Sequence, residues 1–393
     1  MRICHVTAHL PPDQGANALL PVHLGRWARE AGDEPSFISH PPRAMGLASS
    51  GALADVQRAI PGPVAWIEPR SKGRRLPVAA ELSSLIDLAR IRRGTRAVLA
   101  AADIVHVHSN GLLPEAVSLL ASRMGKPVVL TLYGTEIWHY APRRFIAGLF
   151  TRAYRQATHV TFYSRGLLDR AVELGLARDH SSVVYPPVAD YFSKRDEGTR
   201  RASRAALGLR EANVLLNVKR LHPLAGQRHL VDAMPAVLRA HPDTRLVICG
   251  TGPLRDELQA RAAALGIASQ VTLTGLVDNR TAAHYQEAAD LFVLPSELEA
   301  LPTVAVEALA TGTPVISTDN PGGVELSRLF GDDVRIVPRA QPGALAAAIV
   351  EFLAHVRRTR PGTDAVLSNE FGPAAVAARY WDIYRRVTDT RRP

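Results

Sequence analysis

The sequence predicts an α/β protein with two domains, each built on a parallel sheet. The chain has 393 residues, more than one hydrophobic core usually supports. Short apolar segments alternate with helical patterns through both halves, which is typical of parallel sheets. The polar, charged segment SKRDEGTRRASRA separates the halves. We therefore expect domains at 1–192 and 206–373, joined by a linker at 193–205.

The predicted elements follow one another regularly. The first half contains five predicted strands, in this order: RICHVTA, PSFIS, DIVHVHS, PVVLTLY and THVTFYS. The second half contains five more: NVLLNVK, TRLVICG, QVTLTG, LFVLPS and TPVIST. Helical patterns lie between them, for example at 19–31, 114–124, 230–240 and 254–265. The last predicted helix carries a broad apolar face, so we expect 374–393 to pack back on the first domain.

Composition narrows the class of partner. The net charge is +10, and almost all of the positive charge is arginine. An arginine-rich codon usage would explain it, and so would an anionic small substrate or an anionic membrane surface. No zinc spacing or aromatic RNA-binding run accompanies the charge, so nucleic acid is not expected. Cys4 and Cys249 lie in predicted buried strands and have no metal-ligand spacing, so a reducing compartment is expected. No apolar run of about 18 residues occurs, so no transmembrane helix is expected. Together these observations predict a cytoplasmic protein.

Unusual residues follow the predicted strands in both halves. Ligands of open parallel sheets bind outside the carboxyl ends of the strands. The candidates from the first half are Asp13, Gly15, Asn17, His108, Asn110, Tyr133 and Glu136. Those from the second half are Arg220, Gly250, Gly252, Val277 and Glu299. The sequence therefore places a ligand site at these two strand edges.

Several of these residues have alternative explanations. GTGPLRDEL resembles the opening of a dinucleotide fingerprint, but Arg255 stands where the third glycine belongs, so a nicotinamide enzyme is not favoured. His108 could be a hydrogen-bonded histidine at a strand end. Tyr133 could be a packing residue.

The segment LPSELEALPTVAVEALA is more specific. Glu307 lies in a helix that is otherwise apolar all round, where an unpaired carboxylate is costly. Pro302 suits the first turn of that helix, which would leave the amides of Thr303 and Val304 free to bind phosphate. Glu299, in the preceding turn, can accept hydrogen bonds from nearby hydroxyls. A ligand with hydroxyls around a diphosphate is a nucleotide-sugar; the alternative is that Glu307 caps a neighbouring loop.

These residues resemble a known family. Glu299 and Glu307 match the E-x7-E signature of retaining, family-4-type glycosyltransferases of the GT-B fold. NVKRL, VICGTGPL, TLTGLV, YQEAADLFVLPS and LATGTPVIST occur in the family's order, and DIVHVHS and VVLTLYGTEIW resemble its first-domain segments. The resemblance implies two Rossmann-like domains facing each other across a cleft, with the acceptor domain first and the donor domain second.

The resemblance also implies roles for the candidate residues. Glu307 would bind the ribose, Arg220 the diphosphate, and Glu299 with Ala300, Leu301, Pro302 and Thr303 the donor sugar. Gly15 would close on the phosphates, Gly250 and Gly252 would border the donor, and Val277 would lie beside the base. His108, Tyr133 and Glu136 would face the donor sugar or the acceptor, with Asp13, Asn17 and Asn110 on the acceptor side. The chain departs from the family at Tyr133, Ala225 and Ala16, where histidine, lysine and a second glycine are usual.

The expected reaction is transfer of a sugar from a nucleoside diphosphate to an acceptor hydroxyl with retained configuration. No D-x-D triplet occurs, so no metal cofactor is expected, and the nucleotide-sugar is a co-substrate. A glycolipid, a cell-envelope glycan and a small-molecule glycoside all fit as products. RSKGRR at 70–75 is basic, and LSSLIDLARIRR could form an amphipathic helix on an anionic membrane at its inner face, or a helix that only covers the sheet. The alternatives are an epimerase or phosphorylase on the same fold, and a non-catalytic nucleotide-sugar-binding homologue.

Overall fold

The computed structural model describes residues 1–13, 15–42, 59–69, 77–141, 148–176 and 179–389, without the side chains of 77–85 and Thr135. The chain forms two compact units, Met1–Pro186 with Val376–Pro393, and Pro187–Ala375. The basic segment RSKGRR lies outside the described residues. None of the helices within these ranges is both long enough and apolar enough to span a bilayer.

The first unit contains a seven-stranded parallel sheet with the strand order β3-β2-β1-β4-β5-β6-β7. Its strands are β1 (Arg2–Thr7), β2 (Glu34–Ser39), β3 (Val64–Trp66), β4 (Ile104–His108), β5 (Val128–Leu132), β6 (His159–Phe162) and β7 (Ser181–Val183). Its helices are α1 (Ala16–Glu30), α2 (Pro77–Ala101), α3 (Leu112–Arg123), α4 (Thr135–Trp138), α5 (Leu149–Gln156) and α6 (Arg165–Glu173). Strands β4 and β5 are buried along their whole length, as in sheets covered by helices on both faces.

The second unit contains a six-stranded parallel sheet with the order β10-β9-β8-β11-β12-β13. Its strands are β8 (Asn213–Val218), β9 (Thr244–Cys249), β10 (Val271–Gly275), β11 (Leu291–Leu294), β12 (Val315–Thr318) and β13 (Val334–Val337). Its helices are α7 (Glu197–Ala206), α8 (Gln227–Ala240), α9 (Arg255–Ala264), α10 (Asn279–Ala288), α11 (Thr303–Ala310), α12 (Pro321–Phe330), α13 (Pro342–Ala354) and α14 (Pro361–Val366). Leu246, Ile248 and Val293 from the sheet pack with Met234 and Ile349 from the helices in one core.

The predicted α/β class is confirmed, and all ten predicted strands are present. Three further strands, β3, β7 and β13, were not predicted. They have only three or four residues, and β3 and β7 are half-buried throughout. Such short runs carry too little periodicity to stand out from the turns around them.

The predicted linker at 193–205 is wrong for most of its length. Asp196 caps helix α7 through a hydrogen bond from the Thr199 amide, and the helix belongs to the second unit. The side chains of Arg200 and Arg204 both form ion pairs with Asp290, which is 4% exposed. The arginines that led to the prediction of a solvated linker instead form ion pairs that attach helix α7 to the sheet.

The C-terminal helix α15 (Pro373–Asp389) joins the first unit from Val376 onwards. Tyr380, Ile383 and Tyr384 are buried on its inner face. The Tyr384 hydroxyl lies 2.7 Å from Nδ1 of His106 on β4, and the Trp381 indole donates a hydrogen bond to Asp33 at 2.9 Å. Helix α15 therefore packs on the first unit.

Candidate active site

Each sheet has a point where its strand order reverses. In the second unit the chain runs outward from β8 to β9 and β10, and then returns to the other side of β8 through β11. In the first unit the same reversal occurs between β1 and β4. The crevice beyond the carboxyl ends at such a point is the usual ligand site of open α/β sheets. Most of the predicted site residues lie at these two edges.

An ion pair bridges the reversal in the second unit. Lys219 follows β8, Glu299 follows β11, and Lys219 Nζ lies 2.7 Å from Glu299 Oε1. Glu299 is 9% exposed, whereas the neighbouring Arg220 is exposed, and no acidic residue in the described chain pairs with its guanidinium. Lys219 is therefore neutralised by Glu299, whereas the neighbouring Arg220 is free to bind an anion.

The position at which the family usually has lysine is closed to solvent here. Ala225 is 4% exposed and lies in a 3-10 turn (Pro223–Ala225). Gly226, the next residue, adopts a φ of 68°, and a Cβ there would lie 2.0 Å from the Pro295 carbonyl oxygen. Lys219 is the lysine that the structure places at this edge.

Two glycines hold the segment that carries Arg220. A Cβ on Gly250 would lie 2.0 Å from the Lys219 carbonyl oxygen, and one on Gly252 would lie 2.1 Å from that of Leu221. The Lys219 and Leu221 amides donate hydrogen bonds to the carbonyls of Cys249 and Thr251. The absence of side chains at both glycines therefore lets the backbones after β8 and β9 pair closely.

Helix α11 begins beside the same edge. The amides of Ala305 and Val306 donate to the carbonyl of Pro302, which is the residue before the helix and not, as predicted, part of its first turn. A helix leaves its first amides without internal acceptors, and α11 has no side-chain cap. The amides of Thr303 and Val304 are accordingly available to an anion.

Glu307 lies one turn into α11 and is half-buried. Burial raises the pKa of its carboxyl from 4.5 to about 7, although a hydrogen bond from the Gln286 side chain lowers it in part. Gln286 is itself fixed by a hydrogen bond to the carbonyl of Val304, at 3.1 Å. None of the cations in the described residues pairs with Glu307. Its carboxylate is therefore held in place without an ionic partner.

Two supporting features were not predicted. The Asn320 side chain donates to the carbonyl of Ser296 at 3.1 Å and accepts from the amide of Gly323 at 2.9 Å, which ties the Glu299 loop to the start of α12. A Cβ on Gly322 would lie 2.8 Å from Pro302, so this glycine lets α12 approach α11. The sequence STDNPGG, with an N-cap asparagine before proline, could have indicated this helix start.

Val277 and its neighbour Leu276 follow β10 at the far end of the sheet. Val277 is half-buried, while Leu276 is 67% exposed and was not predicted as a site residue. Single exposed apolar side chains are common, so exposure alone does not mark Leu276 as functional. Its position next to Val277, the predicted base site, makes it a candidate.

In the first unit, Gly15 starts α1 with a φ of 127°, a conformation that favours glycine. The Asp13 carboxylate lies 3.0 Å from Nδ1 of the His9 ring, within hydrogen-bond distance. The Asn17 carbonyl accepts from the Thr7 hydroxyl at the end of β1, at 2.8 Å. The loop after β1 is thus fastened at both ends by residues at the predicted edge.

His108 does not face the surface. It is fully buried; its Nδ1 lies 2.8 Å from the Tyr133 hydroxyl, and its Nε2 lies 3.2 Å from Nδ1 of His5. Tyr133 is half-buried and lies between His108 and the edge of the sheet. The buried His108 ring therefore forms a hydrogen bond with the Tyr133 hydroxyl, and of the two side chains only Tyr133 is partly exposed.

Glu136 organises the neighbouring loop. Its carboxylate accepts hydrogen bonds from the Ser109 hydroxyl at 2.6 Å and from the Gly134 amide at 2.8 Å, and Glu136 is 3% exposed. Ser109 has a φ of 69°, a strained conformation that this contact stabilises. A cavity of about 420 Å³ adjoins them, and its lining includes Asn110, Glu115, Glu136, His139, Tyr140 and Phe150.

Comparison with known proteins agrees with this geometry. Residues 21–190 match the model for Glycosyltransferase Family 4, and residues 199–361 match that for Glycosyl transferases group 1. A GDP-mannose-dependent alpha-(1-6)-phosphatidylinositol monomannoside mannosyltransferase of Mycolicibacterium smegmatis is 31% identical over 277 residues, 67% of each chain. The alpha-D-kanosaminyltransferase of Streptomyces kanamyceticus is 26% identical over 284 residues, 69% of this chain and 72% of its own.

Among solved structures, Anabaena HepE in complex with UDP superposes with a TM-score of 0.75 and 19% identity, over 98% of this chain and 100% of that one. This similarity establishes the fold, which is GT-B. The chain belongs to the family-4 glycosyltransferases, and the predicted family, fold and enzyme class are confirmed.

Proposed function

We propose that this glycosyltransferase uses a nucleoside diphosphate sugar and retains the anomeric configuration. The bond between the sugar C1 and the diphosphate oxygen breaks, and a bond forms between C1 and an acceptor hydroxyl oxygen on the same face. The acceptor proton passes to the leaving diphosphate oxygen. The products are the glycoside and the nucleoside diphosphate.

The observation that carries the proposal is the arrangement of charges where the strand order reverses in the second unit. Arg220 is exposed and unpaired among the described residues, close in sequence to the Lys219–Glu299 pair at 2.7 Å. Preorganised cations stabilise the charge that develops on a departing diphosphate, and the first amides of α11 add partial positive charge. Glu299, already oriented by Lys219, can accept hydrogen bonds from the sugar hydroxyls through its remaining lone pairs.

Glu307 suits the ribose. Its carboxylate is half-buried and accepts a hydrogen bond from Gln286, and burial raises its pKa to about 7, so further hydrogen-bond donors would stabilise the charged form. Two vicinal hydroxyls would supply the missing hydrogen-bond donors. Leu276 and Val277 offer apolar surface for a base.

For the acceptor we propose the cavity of the first unit that Asn110, Glu136 and Tyr140 help to line. Tyr140 and Phe150 lie there with ring centroids 5.6 Å apart, and aromatic faces of this kind pack against sugar rings. The mannosyltransferase and the kanosaminyltransferase act in different chemical settings by their names, so glycolipid and small-molecule acceptors are both to be assayed. For a lipid-linked acceptor we propose contact with an anionic membrane at its cytoplasmic face, which co-sedimentation with vesicles tests.

A panel of nucleotide-sugars, screened by thermal shift and then by turnover, tests the proposal. With the best donor, Arg220→Ala should lower kcat roughly 100-fold. Arg228→Ala is the matched control, because Arg228 is an exposed arginine of the same unit that pairs loosely with Glu257, at 3.9 Å. Equal losses in both variants would contradict the assignment of Arg220.

Two further measurements separate the alternatives. We propose that no metal takes part, so full activity is expected in excess chelator, and dependence on manganese would refute this part. An epimerase or a phosphorylase would instead convert the nucleotide-sugar without an acceptor, or only with inorganic phosphate.

A further inference from the structure

Three buried histidines lie together on one face of the first sheet. His5 on β1 is in register with His106 on β4, and His108 follows two residues later on the same face. All three are fully buried, and their ring atoms approach within 4.8 Å of one another. Burial lowers the pKa of His5 to about 3 and those of His106 and His108 well below the ordinary value. The three rings are therefore neutral, and each has one N–H donor and one acceptor nitrogen.

The contacts of the three rings differ. His106 has a hydroxyl on each side, from Tyr384 at 2.7 Å and from Thr131 at 2.7 Å. His5 and His108 instead form a chain that leads to the Tyr133 hydroxyl, with distances of 3.2 Å and 2.8 Å. The chain ends inside the sheet at Nε2 of His5, a buried atom with no hydrogen-bond partner in the described structure.

This unpartnered nitrogen decides the direction of the chain. If the Tyr133 hydroxyl donated to His108, then His108 would donate to His5, and His5 would be left with a buried N–H that has no acceptor. In the opposite direction, His5 Nδ1–H donates to His108 and His108 Nδ1–H donates to Tyr133, so that only an acceptor lone pair is left over. Buried N–H groups without an acceptor are rarer than acceptors without a donor.

We propose that His5 and His108 are positioning residues whose directed hydrogen-bond chain makes the Tyr133 hydroxyl a hydrogen-bond donor toward the outer side of the sheet edge. The Tyr163 hydroxyl competes with substrate for this proton, since the buried Tyr163 ring lies edge-on to that of Tyr133, with 4.5 Å between centroids. Burial keeps the pKa of Tyr133 well above its ordinary value, so the donor proton is retained. The inference rests on the proposed function in one respect, namely that the acceptor of this hydrogen bond is an oxygen of the donor sugar or of the acceptor substrate.

The direction can be measured without any substrate. Nitrogen-15 NMR of the histidine rings in the full chain, assigned with His5→Asn and His108→Asn, reports which nitrogen of each ring carries the proton. The expected result is a proton on Nδ1 of both His5 and His108. A proton on Nε2 of either ring overturns the chain, and so does stoichiometric metal that remains bound to the purified protein and is lost in His5→Asn.

Activity then tests what the chain does. Tyr133→Phe and His5→Phe should each lower kcat/KM roughly 10-fold. His5→Asn should restore most of that loss, because its amide N–H can take the place of Nδ1–H. The double variant of Tyr133→Phe with His5→Phe should be no worse than Tyr133→Phe alone, whereas multiplied losses would show that His5 does not act through the Tyr133 hydroxyl.

These outcomes separate the two proposals. If the unmodified protein turns over no nucleotide-sugar, the proposed function fails. The histidine tautomers still determine the direction of the hydrogen-bond chain in that case. If the tautomers are as expected but Tyr133→Phe retains full activity, the chain exists and its catalytic use is refuted.

Discussion

Replacing Glu307 by glutamine should make the protein more stable above neutral pH while it impairs donor binding. Folding raises the pKa of this carboxyl from 4.5 to about 7, so the native state holds a proton that the unfolded chain has released. Between these two values the free energy of unfolding of the unmodified protein falls as pH rises, because the native state binds more protons. Raising the pH from 4.5 to 7 therefore lowers the free energy of unfolding by about 3 kcal/mol, and above pH 7 this loss is complete.

Glutamine keeps the shape of the side chain and has no charge to desolvate. Urea unfolding of the unmodified protein and of Glu307→Gln, at pH 5 and pH 8, should show a stability difference that grows by about 2–3 kcal/mol in favour of the variant at pH 8. Glu351→Gln is the control, because Glu351 is an exposed glutamate of the same unit whose pKa is lowered by Arg335. Its lowered pKa stabilises the native state above pH 4.5, so the stability difference between this control and the unmodified protein should be nearly the same at pH 5 and pH 8.

A Glu307→Gln variant whose stability relative to the unmodified protein is the same at both pH values would refute this reasoning, because it would show that the carboxyl titrates alike in the native and unfolded states. Donor affinity provides the second measurement. A carboxylate that accepts hydrogen bonds from ribose hydroxyls must be ionised, so affinity for the nucleotide should rise as pH increases through about 7, and this rise should be absent in the variant.

Two further predictions concern the scaffold of the second unit. Gly250→Ala places a Cβ 2.0 Å from the Lys219 carbonyl oxygen and should lower the free energy of unfolding by roughly 2–4 kcal/mol, with a loss of activity through the displaced Arg220 segment. Gly343→Ala, in helix α13 with nothing within 4 Å, should be neutral or slightly stabilising in the same urea assay, and a neutral Gly250→Ala would contradict the close approach. Asp290→Ala removes an acceptor that Arg200, Arg204 and the amide of Val214 share and should cost roughly 3 kcal/mol. Its measurement is thermal unfolding, and an unchanged midpoint would show that α7 is not fastened by this residue.

Local patterns were sufficient for the central elements of both sheets. Buried parallel strands such as VVLTL and VLLNV are apolar at four of five positions and are bounded by turn residues, so they can be recognised without tertiary information. The edge strands β3 and β7 are too short for this. Helix α7 was misread because its arginines look solvated until Asp290, about 90 residues later in the chain, is placed beside them.

The candidate site shows the same limit. Positions after strand ends selected Arg220, Glu299 and Tyr133, because parallel strands bring their carboxyl ends to one edge. Glu307 was selected instead as a carboxylate within an otherwise apolar helix. What each side chain does there depends on partners that are distant in sequence. Lys219 neutralises Glu299 from 80 residues away, and His108 faces His5, 103 residues away, and not the solvent.

The glycines after β9 have a role in the scaffold that their sequence pattern does not indicate. GTG resembles the opening of a dinucleotide fingerprint, whereas the structure shows that Gly250 and Gly252 closely approach the carbonyls of Lys219 and Leu221. Because both neighbours of Arg220 are fixed in this way, its backbone is held on either side while its side chain stays exposed. Substitution at either glycine should therefore change kcat through Arg220 even where donor affinity is preserved, whereas glycines that bind phosphate directly would lose affinity first.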